Sequence, residues 1–325
     1  ERVVASLVAI GALENQAERA VPAQAAFTEA LQLLEGLDGS TAARVDALSG
    51  LAQAQLRLGQ SSAARDSALA AVSFAETAGP DRAQLTAMAL QALAEVDSRS
   101  GRTDDAIAAA TRALALLRDT LPADHADLAT AIGYLANSHV QAGDFAQAER
   151  LFAEMLEIRL RTLDRGSAWV ITARHNLAHA IYSQGRILDA LPLMEENLAL
   201  LRERGEDDTP SYLVALNNVA SLHEATGNLD ESVALFRELV AKAEAGREQG
   251  DPRLSQYRQN LGRSLLLAGQ LDEAWHWLDL PIEGSAEPIA TVTERGRRHL
   301  HRAEWLRRRG RLAEVADELA DAEAV

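Results

Sequence analysis

The chain is 325 residues long, 47% hydrophobic but only 4% aromatic, and sets 48 acidic against 32 basic residues for a formal net charge of −16. That charge repels phosphates and argues against general nucleic-acid binding, and the lack of any cysteine removes disulfides, thiolate zinc sites and thiol catalysis. The opening apolar stretch, Val3 to Leu13, covers 11 residues and is too short for a bilayer, which takes about 20.

Taken in order, residues 1–40 read as a degenerate helical hairpin in which Pro22 opens the second helix. A chain that begins at Glu1 rather than Met is expected to continue upstream, and one lysine (Lys242) against 31 arginines, with abundant alanine, points to a GC-rich, bacterial genome. From residue 41 a repeat sets in. Gly59, Gly101, Gly143, Gly185, Gly227 and Gly269 are each 42 residues apart, and Gly310 follows after 41. A fixed period of this size means one supersecondary unit copied along the chain, each copy burying its apolar face against its neighbours.

Small residues recur seven positions before each glycine (Ala52, Ala94, Ala136, Ala178, Ala220, Gly262, Ala303) and five after it (Ala64, Ala106, Ala148, Ala190, Ser232, Ala274, with Val315 last). Two helices with small residues at fixed places can bring their axes to about 8–10 Å, and a glycine between them serves a turn that needs positive φ. Thr41, Ser167, Thr209 and Asp251 stand where helix N-caps are needed, followed at two of them by Pro210 and Pro252. After the turn, Phe145, Ile187, Leu229, Leu271 and Leu312 open the second helices. The pattern predicts hairpins over 41–78, 81–120, 124–163, 167–204, 209–246, 251–284 and 288–324: six units in 41–287, and a final hairpin or cap in 288–325.

Leu-Ala before the turn glycine and Ala after it resemble the tetratricopeptide repeat. Segments such as His175-Asn176-Leu177-Ala178 and Leu216-Asn217-Asn218-Val219-Ala220 resemble its kinesin-light-chain-like, 42-residue subtype. The resemblance implies an all-α, right-handed α-solenoid of antiparallel hairpins that binds a peptide or a partner's helix in a concave groove. The family's aromatic before the turn is replaced here by Gln55, Asp97, His139, Ile181, His223 and Leu265, and its closing proline is missing.

In such a stack the first helices line the groove, with residues 13, 10, 9, 6 and 3 positions before the glycine facing it. Asp46, Ser49, Gln53, Met88, Gln91, Glu95, Thr130 and Tyr134 fall there in the early units. The peptide-binding candidates are Asn137, Thr172, His175, Asn176, His179, Tyr182, Asn217, Asn218, Ser221, Gln256, Gln259 and Asn260. Asn176, Asn218 and Asn260 form one column, and an amide both donates and accepts, as an extended backbone requires. The same amides could instead bridge neighbouring helices.

Eight arginines crowd Arg295 to Arg311 against one acid, Glu304. Either they form a solvated terminal helix pairing with the acidic body, or Arg297, His301, Arg307 and Arg308, with Arg263 of the preceding unit, receive the acidic portion of a ligand. His175 and His179, four apart, share one helix face but lack the glutamate of a metalloprotease motif and any evident third ligand. His139 and His223 are expected inside their hairpins, Trp275 and Trp277 against neighbouring repeats, and Trp169 at the groove's rim. No catalytic, cofactor or metal site is expected. The reading is a non-enzymatic, cytoplasmic interaction module, either the recognition part of a larger protein, such as a bacterial Ser/Thr kinase, protease or regulator, or a stand-alone adaptor or self-assembling scaffold.

Overall fold

The computed structural model describes residues 2–35, 41–79, 81–245, 252–280 and 288–324, and among these every regular element is a helix. Two compact units follow one another in the chain, Glu1–Gln184 and Gly185–Val325. The first holds α1 (Arg2–Gln16), α2 (Ala20–Leu34), α3 (Thr41–Arg57), α4 (Ser61–Glu76), α5 (Arg82–Arg99), α6 (Thr103–Thr120), α7 (Ala126–Gln141), α8 (Phe145–Thr162) and α9 (Ala168–Ser183). The second holds α10 (Ile187–Glu203), α11 (Pro210–Ala225), α12 (Leu229–Ala245), α13 (Pro252–Leu267), α14 (Leu271–Asp279), α15 (Pro288–Arg308) and α16 (Leu312–Ala324). No described helix is long and apolar enough to cross a membrane.

Within each unit consecutive helices pack as antiparallel hairpins, and in the first unit α1, α3, α5 and α7 also touch in series. This is the all-α solenoid packing that the repeat predicts. The seven turn glycines lie at φ between 74° and 80°, the left-handed region that only glycine enters without steric cost. The small-residue columns are shut in: Ala52, Ala64, Ala106, Ala136, Ala148, Ala178, Ala190, Ala220 and Ala274 are all at 0% exposure. The hydroxyls of Ser167 and Thr209 cap α9 and α11 by accepting from the N–H of Val170 and Tyr212, and the His125 ring caps α7 through Asp127. Asp251 and residues 281–284 of the expected sixth hairpin lie outside the described residues.

The first hairpin is built like the rest. Its turn residue is Glu18, at φ 58°, with its N–H on the Asn15 carbonyl and the Arg19 N–H on Glu14; Gly59 and Gln60 repeat this pattern on Leu56 and Gln55. Counting from Glu18 restores the columns, since Gly11 stands seven before it and Ala23, at 0% exposure, five after it. Glu18 is solvent-exposed and makes only a 3.9 Å contact with Arg57, so its left-handed backbone is strain with little compensation. Glu18→Gly is expected to stabilise the first unit by about 0.5–1 kcal/mol in a urea titration; a loss of stability would mean that the turn is not under strain.

The column before the turn, where the family has an aromatic, holds polar side chains that join elements. Asp97 accepts from Arg65 Nε at 2.8 Å and Arg102 Nε at 2.6 Å, Gln55 accepts from Ser67 at 2.8 Å, and His223 lies 3.2 Å from Glu195. His139 meets Asp144 at 3.3 Å. On the second helices, Glu76–Arg112, Arg118–Glu154, Arg202–Glu238 and Arg237–Glu273 pair residues at a constant spacing of 36 from one repeat to the next. Being largely exposed, each adds at most about 1 kcal/mol; their regularity fixes register more than stability.

Candidate functional site

In the first unit the inner faces of the first helices enclose a cleft of about 470 Å³. Asp46, Ser49 and Gln53 of α3 and Met88 and Gln91 of α5 reach it because positions three and seven apart share one side of a helix. Its floor is the buried ring of Phe27 and its edge carries Asn15 of α1. A neighbouring cleft of about 280 Å³ shares Asp46, Met88 and Gln91, and a third of about 370 Å³ shares Tyr134 and reaches Glu95 and Asn137. The Tyr134 phenol is pushed up to about 12 by burial, with the charge of Glu95 adding to it, and so stays protonated across the physiological range. Asp46 is open to solvent at the mouth of the cleft, yet the protein crowding it raises its pKa.

Asn15, Val8 and Ala12 are cleft residues that the glycine register missed. Counted from Glu18 they stand 3, 10 and 6 positions back, in the same groove columns as the rest, so the small residues Gly11 and Ala23 were the signal that could have found them.

Farther along the first unit, Asn137, Thr172, His179 and Tyr182 are exposed, and His175 and Asn176 half-buried. The Thr172 hydroxyl is taken by the carbonyl of Ala168 in its own helix. Burial, and secondarily the charge of His179, lower the pKa of His175. Trp169, expected at the rim, is exposed, with the Arg159 guanidinium 5.0 Å over its ring and bonded at 2.7 Å to its carbonyl.

In the second unit, Asn217, Asn218, Ser221 and Asn260 are half-buried and Gln256 is exposed. The Asn260 amide donates to Asn217 Oδ1 at 2.9 Å, so one rung of the amide ladder does bridge two first helices, and the Ser221 hydroxyl donates to the Asn217 carbonyl. Gln259 is buried, at 8% exposure, with its Oε1 unmet.

The arginine segment of α15 is not an array of free cations. Arg307 and Arg308 hold Glu304 at 2.6 and 2.8 Å, Arg263 holds Glu224 at 2.9 Å, Arg302 holds Glu318 at 2.9 Å, and Arg309 and Arg311 pair with Asp272 and Glu314. Of the five residues expected to meet an acidic ligand, Arg297 alone is both exposed and without an ion pair among the described residues. His301 does not add positive charge. Burial first, then Arg263 and Arg297, lower it from 6.5 to about 4, so it is neutral at pH 7.

That displacement has a sign. Above pH 6.5 both folded and unfolded chains carry neutral His301, whereas between about 6.5 and 4 the unfolded chain takes up a proton that the folded one refuses. The second unit should therefore lose stability as the pH falls through this window, and His301→Gln should flatten the slope, read from tryptophan fluorescence in urea at pH 7, 5.5 and 4.5. An identical slope in the variant would show His301 to be freely protonated.

The three potential metal ligands that come together among the described residues are His299, Glu318 and Asp321. Glu318 is already occupied by Arg302 and by His299 at 2.7 Å, which makes this a salt-bridge cluster. Trp275 and Trp305 pack at a tilt of 37° with centroids 4.3 Å apart, and Trp305 donates to the Leu271 carbonyl, closing α15 onto α14.

No curated protein sequence is significantly similar to this chain. Residues 85–161 and 169–245, 154 of the 325, match the family model of the tetratricopeptide repeat. Among solved structures, the kinesin light chain nearly identical TPR-like repeats of Podosopora anserina align at 23% identity and a TM-score of 0.56, covering 61% of this chain and 92% of that one. The apo form of RapI aligns over 99% and 96% of the two chains at a TM-score of 0.72 and 9% identity. A Rap protein complexed with Competence and Sporulation Factor aligns over 98% and 90% at 0.59 and 15%. At these identities the likeness is one of fold. Residues 85–161 and 169–245 are thus tetratricopeptide repeats, and glycine-turned hairpins with the same buried columns continue on both sides of them in a fold similar to that of the kinesin-light-chain arrays.

Proposed function

We infer that this protein is a non-catalytic interaction module whose first-helix faces bind an extended peptide or a partner's helix. The observation that carries this reading is a set of polar side chains on those faces with no hydrogen-bond partner among the described residues: Asn137, Asn176, Asn218 and Gln256. Amides kept free on the first helices of each unit suit a ligand whose backbone repeats N–H and C=O groups. The Rap protein of the same fold, solved with Competence and Sporulation Factor bound, supports the use of such an array for recognition. In this reading the module serves a larger protein or an adaptor assembly, and Arg297 favours an acidic residue in the ligand.

The test is capture from a random peptide library, with affinities of the selected peptides measured by fluorescence anisotropy. Asn176→Ala with Asn218→Ala should weaken binding by about 1–3 kcal/mol, roughly 5- to 150-fold. Unchanged affinity with an intact helical spectrum would move the binding surface off these faces.

A further inference from the structure

One stripe of α1 stands open that is closed in the repeats after it. Val3, Ile10 and Leu13 are 62, 48 and 63% exposed, and counted from Glu18 they stand 15, 8 and 5 positions before the turn. In later repeats the same places hold Leu128 and Tyr212, Leu135 and Val219, and Val96 and Leu222, none of them more than 7% exposed. Their cover is the second helix of the preceding repeat. The Tyr212 hydroxyl accepts from Arg202 Nε of α10 at 2.7 Å, and Ser264, five positions before its turn, lies 2.9 Å from Ser232 of α12. Among the described residues no helix takes that place on α1.

The matching face is open on α16. In earlier repeats the residues 2, 5, 6 and 9 positions after the turn meet the first helix that follows: the Leu271 carbonyl accepts from Trp305, Ser232 meets Ser264, Glu149 accepts from Gln184 at 2.6 Å, and the Phe27 ring lies against Gly50. In α16 those places hold Leu312, Val315, Ala316 and Leu319. Leu312 and Leu319 are 67 and 42% exposed, whereas Phe152 and Phe236, at the place of Leu319, are at most 1% exposed.

Contiguous apolar surface is seldom left facing water, and the end repeats of a solenoid ordinarily carry a polar outer face. Charge says which faces fit. Between Arg2 and Glu14 the helix α1 has no charged residue, while α16 carries five acids and no base. Two α16 helices would set acid against acid, whereas α16 on α1 sets it against a neutral stripe. Packed antiparallel, as consecutive helices are in the interior, α16 brings Leu312 and Leu319 over Leu13 and Ile10. The same arrangement turns the Asp321 and Glu323 end of α16 toward Arg2, which is exposed and without an ion pair among the described residues.

We propose that α16 of one copy of this chain docks on the α1 stripe of a second copy, so that copies stack head to tail as one repeat stacks on the next. The two faces differ, so the contact is heterologous and leaves one free face of each kind on every pair. Val3, Ile10 and Leu13 lie outside the groove columns, and the proposal stands or falls apart from the peptide-binding reading. One helix on one helix is an interface of the transient class, below about 1,200 Å² in total, so a dissociation constant on the order of micromolar is expected.

The experiment is sedimentation equilibrium of the full chain from about 1 to 200 µM, a range that brackets micromolar association. The mass should rise with concentration. Two variants each close one face: Ile10→Glu with Leu13→Glu on α1, and Leu312→Glu with Ala316→Glu on α16. Each alone should associate at least 10-fold more weakly than the parent, with helical spectrum and unfolding midpoint kept; if the α1 variant loses its midpoint, Val3→Glu with Leu13→Glu, at more exposed positions, takes its place. Mixed one to one, the two variants should recover association, and only as far as twice the protomer mass, because each still owns one of the two complementary faces. A parent whose mass stays that of the protomer throughout overturns the proposal, and so does a mixture that forms no pairs. An α16 variant that associates as the parent does, while the α1 variant does not, would assign the stripe to contact between two α1 helices and overturn the head-to-tail order. Binding of a labelled peptide of residues 61–76, the second-helix sequence of α4, to a parent that stays monomeric, lost in the α1 variant, would give the stripe to a separate helix and overturn the second copy as its occupant.

Discussion

Replacing Phe27 by alanine is expected to lower the stability of the first unit by about 3–5 kcal/mol, the usual cost of removing a fully enclosed phenyl ring. Phe27 belongs to α2, is 2% exposed, and lies in one apolar cluster with Val4, Ala23, Ala30, Leu34, Ala47, Leu51 and Ala54. Its ring occupies space that two glycines leave open. A Cβ at Gly11 would stand 2.8 Å from the ring, and one at Gly50 only 2.2 Å. The walls of that slot are the backbones of α1 and α3, which cannot collapse as side chains do, so the cavity should remain and the penalty should lie toward the upper end of the range. Gly50→Ala approaches the same slot from the other side and should cost about 1–3 kcal/mol by overpacking. Combining Gly50→Ala with Phe27→Leu should cost less than the sum, since the smaller side chain yields room for the methyl group. Repeat arrays unfold in stages, so the readout is hydrogen exchange of amides in α1 to α4 across a urea series. Protection that survives in Phe27→Ala would mean that the first hairpin is not docked through this ring.

Much of this fold could be read from the chain because the repeat states each requirement seven times. Where a turn must enter positive φ a glycine stands, and where two helices meet closely an alanine stands, so the period carried both the element boundaries and the buried columns. All five apolar residues expected to open second helices do so. The first repeat escaped because Glu18 replaces the turn glycine and the step to Gly59 is 41 rather than 42 residues. With it went Asn15 and Phe27, which line the first-unit cleft of about 470 Å³. The burial of single side chains was less readable, since a helical face is about 100° wide and a register places a residue no better than that; Gln259, assigned to the groove face, is 8% exposed. For the arginines the sequence left two readings open, a helix paired with the acidic body or a receptor for an acidic ligand, and the ion pairs accord with the first. Counting Arg295 to Arg311 along the chain hides the acids that packing brings to them, Asp272 from α14 and Glu318 and Glu314 from α16.

The second large effect is expected at Asp97, where the sequence breaks the family's aromatic column with a charge. Asp97 is 1% exposed, and its Oδ1 accepts from Arg65 of the preceding repeat and from Arg102 just past the turn. One carboxylate thereby ties two hairpins and a loop, and the Arg65 guanidinium is held charged more firmly, chiefly by its hydrogen bond to Asp97. Removing one member of a buried ion pair strands the other, at a typical cost of about 3–5 kcal/mol. Here both arginines keep about a third of their side-chain surface in water, and Arg65 retains Asp105 at 3.2 Å, so part of that penalty is relieved. Asp97→Ala should accordingly destabilise the first unit by about 2–3 kcal/mol, with the loss largest in exchange protection of residues 98–106. Asp97→Leu should cost less than Asp97→Ala, because Ile181 and Leu265 fill the corresponding position in later repeats and a leucine there replaces lost bonding with apolar contact. Salt separates this pair from the exposed ladder on the second helices: raising ionic strength to 1 M should weaken Glu76–Arg112 and Arg118–Glu154 but leave the Asp97 contribution nearly intact, since screening acts mainly on charges in contact with solvent. An Asp97→Ala protein within 0.5 kcal/mol of the parent would show that the network is paid for in full by desolvation and contributes specificity of register alone.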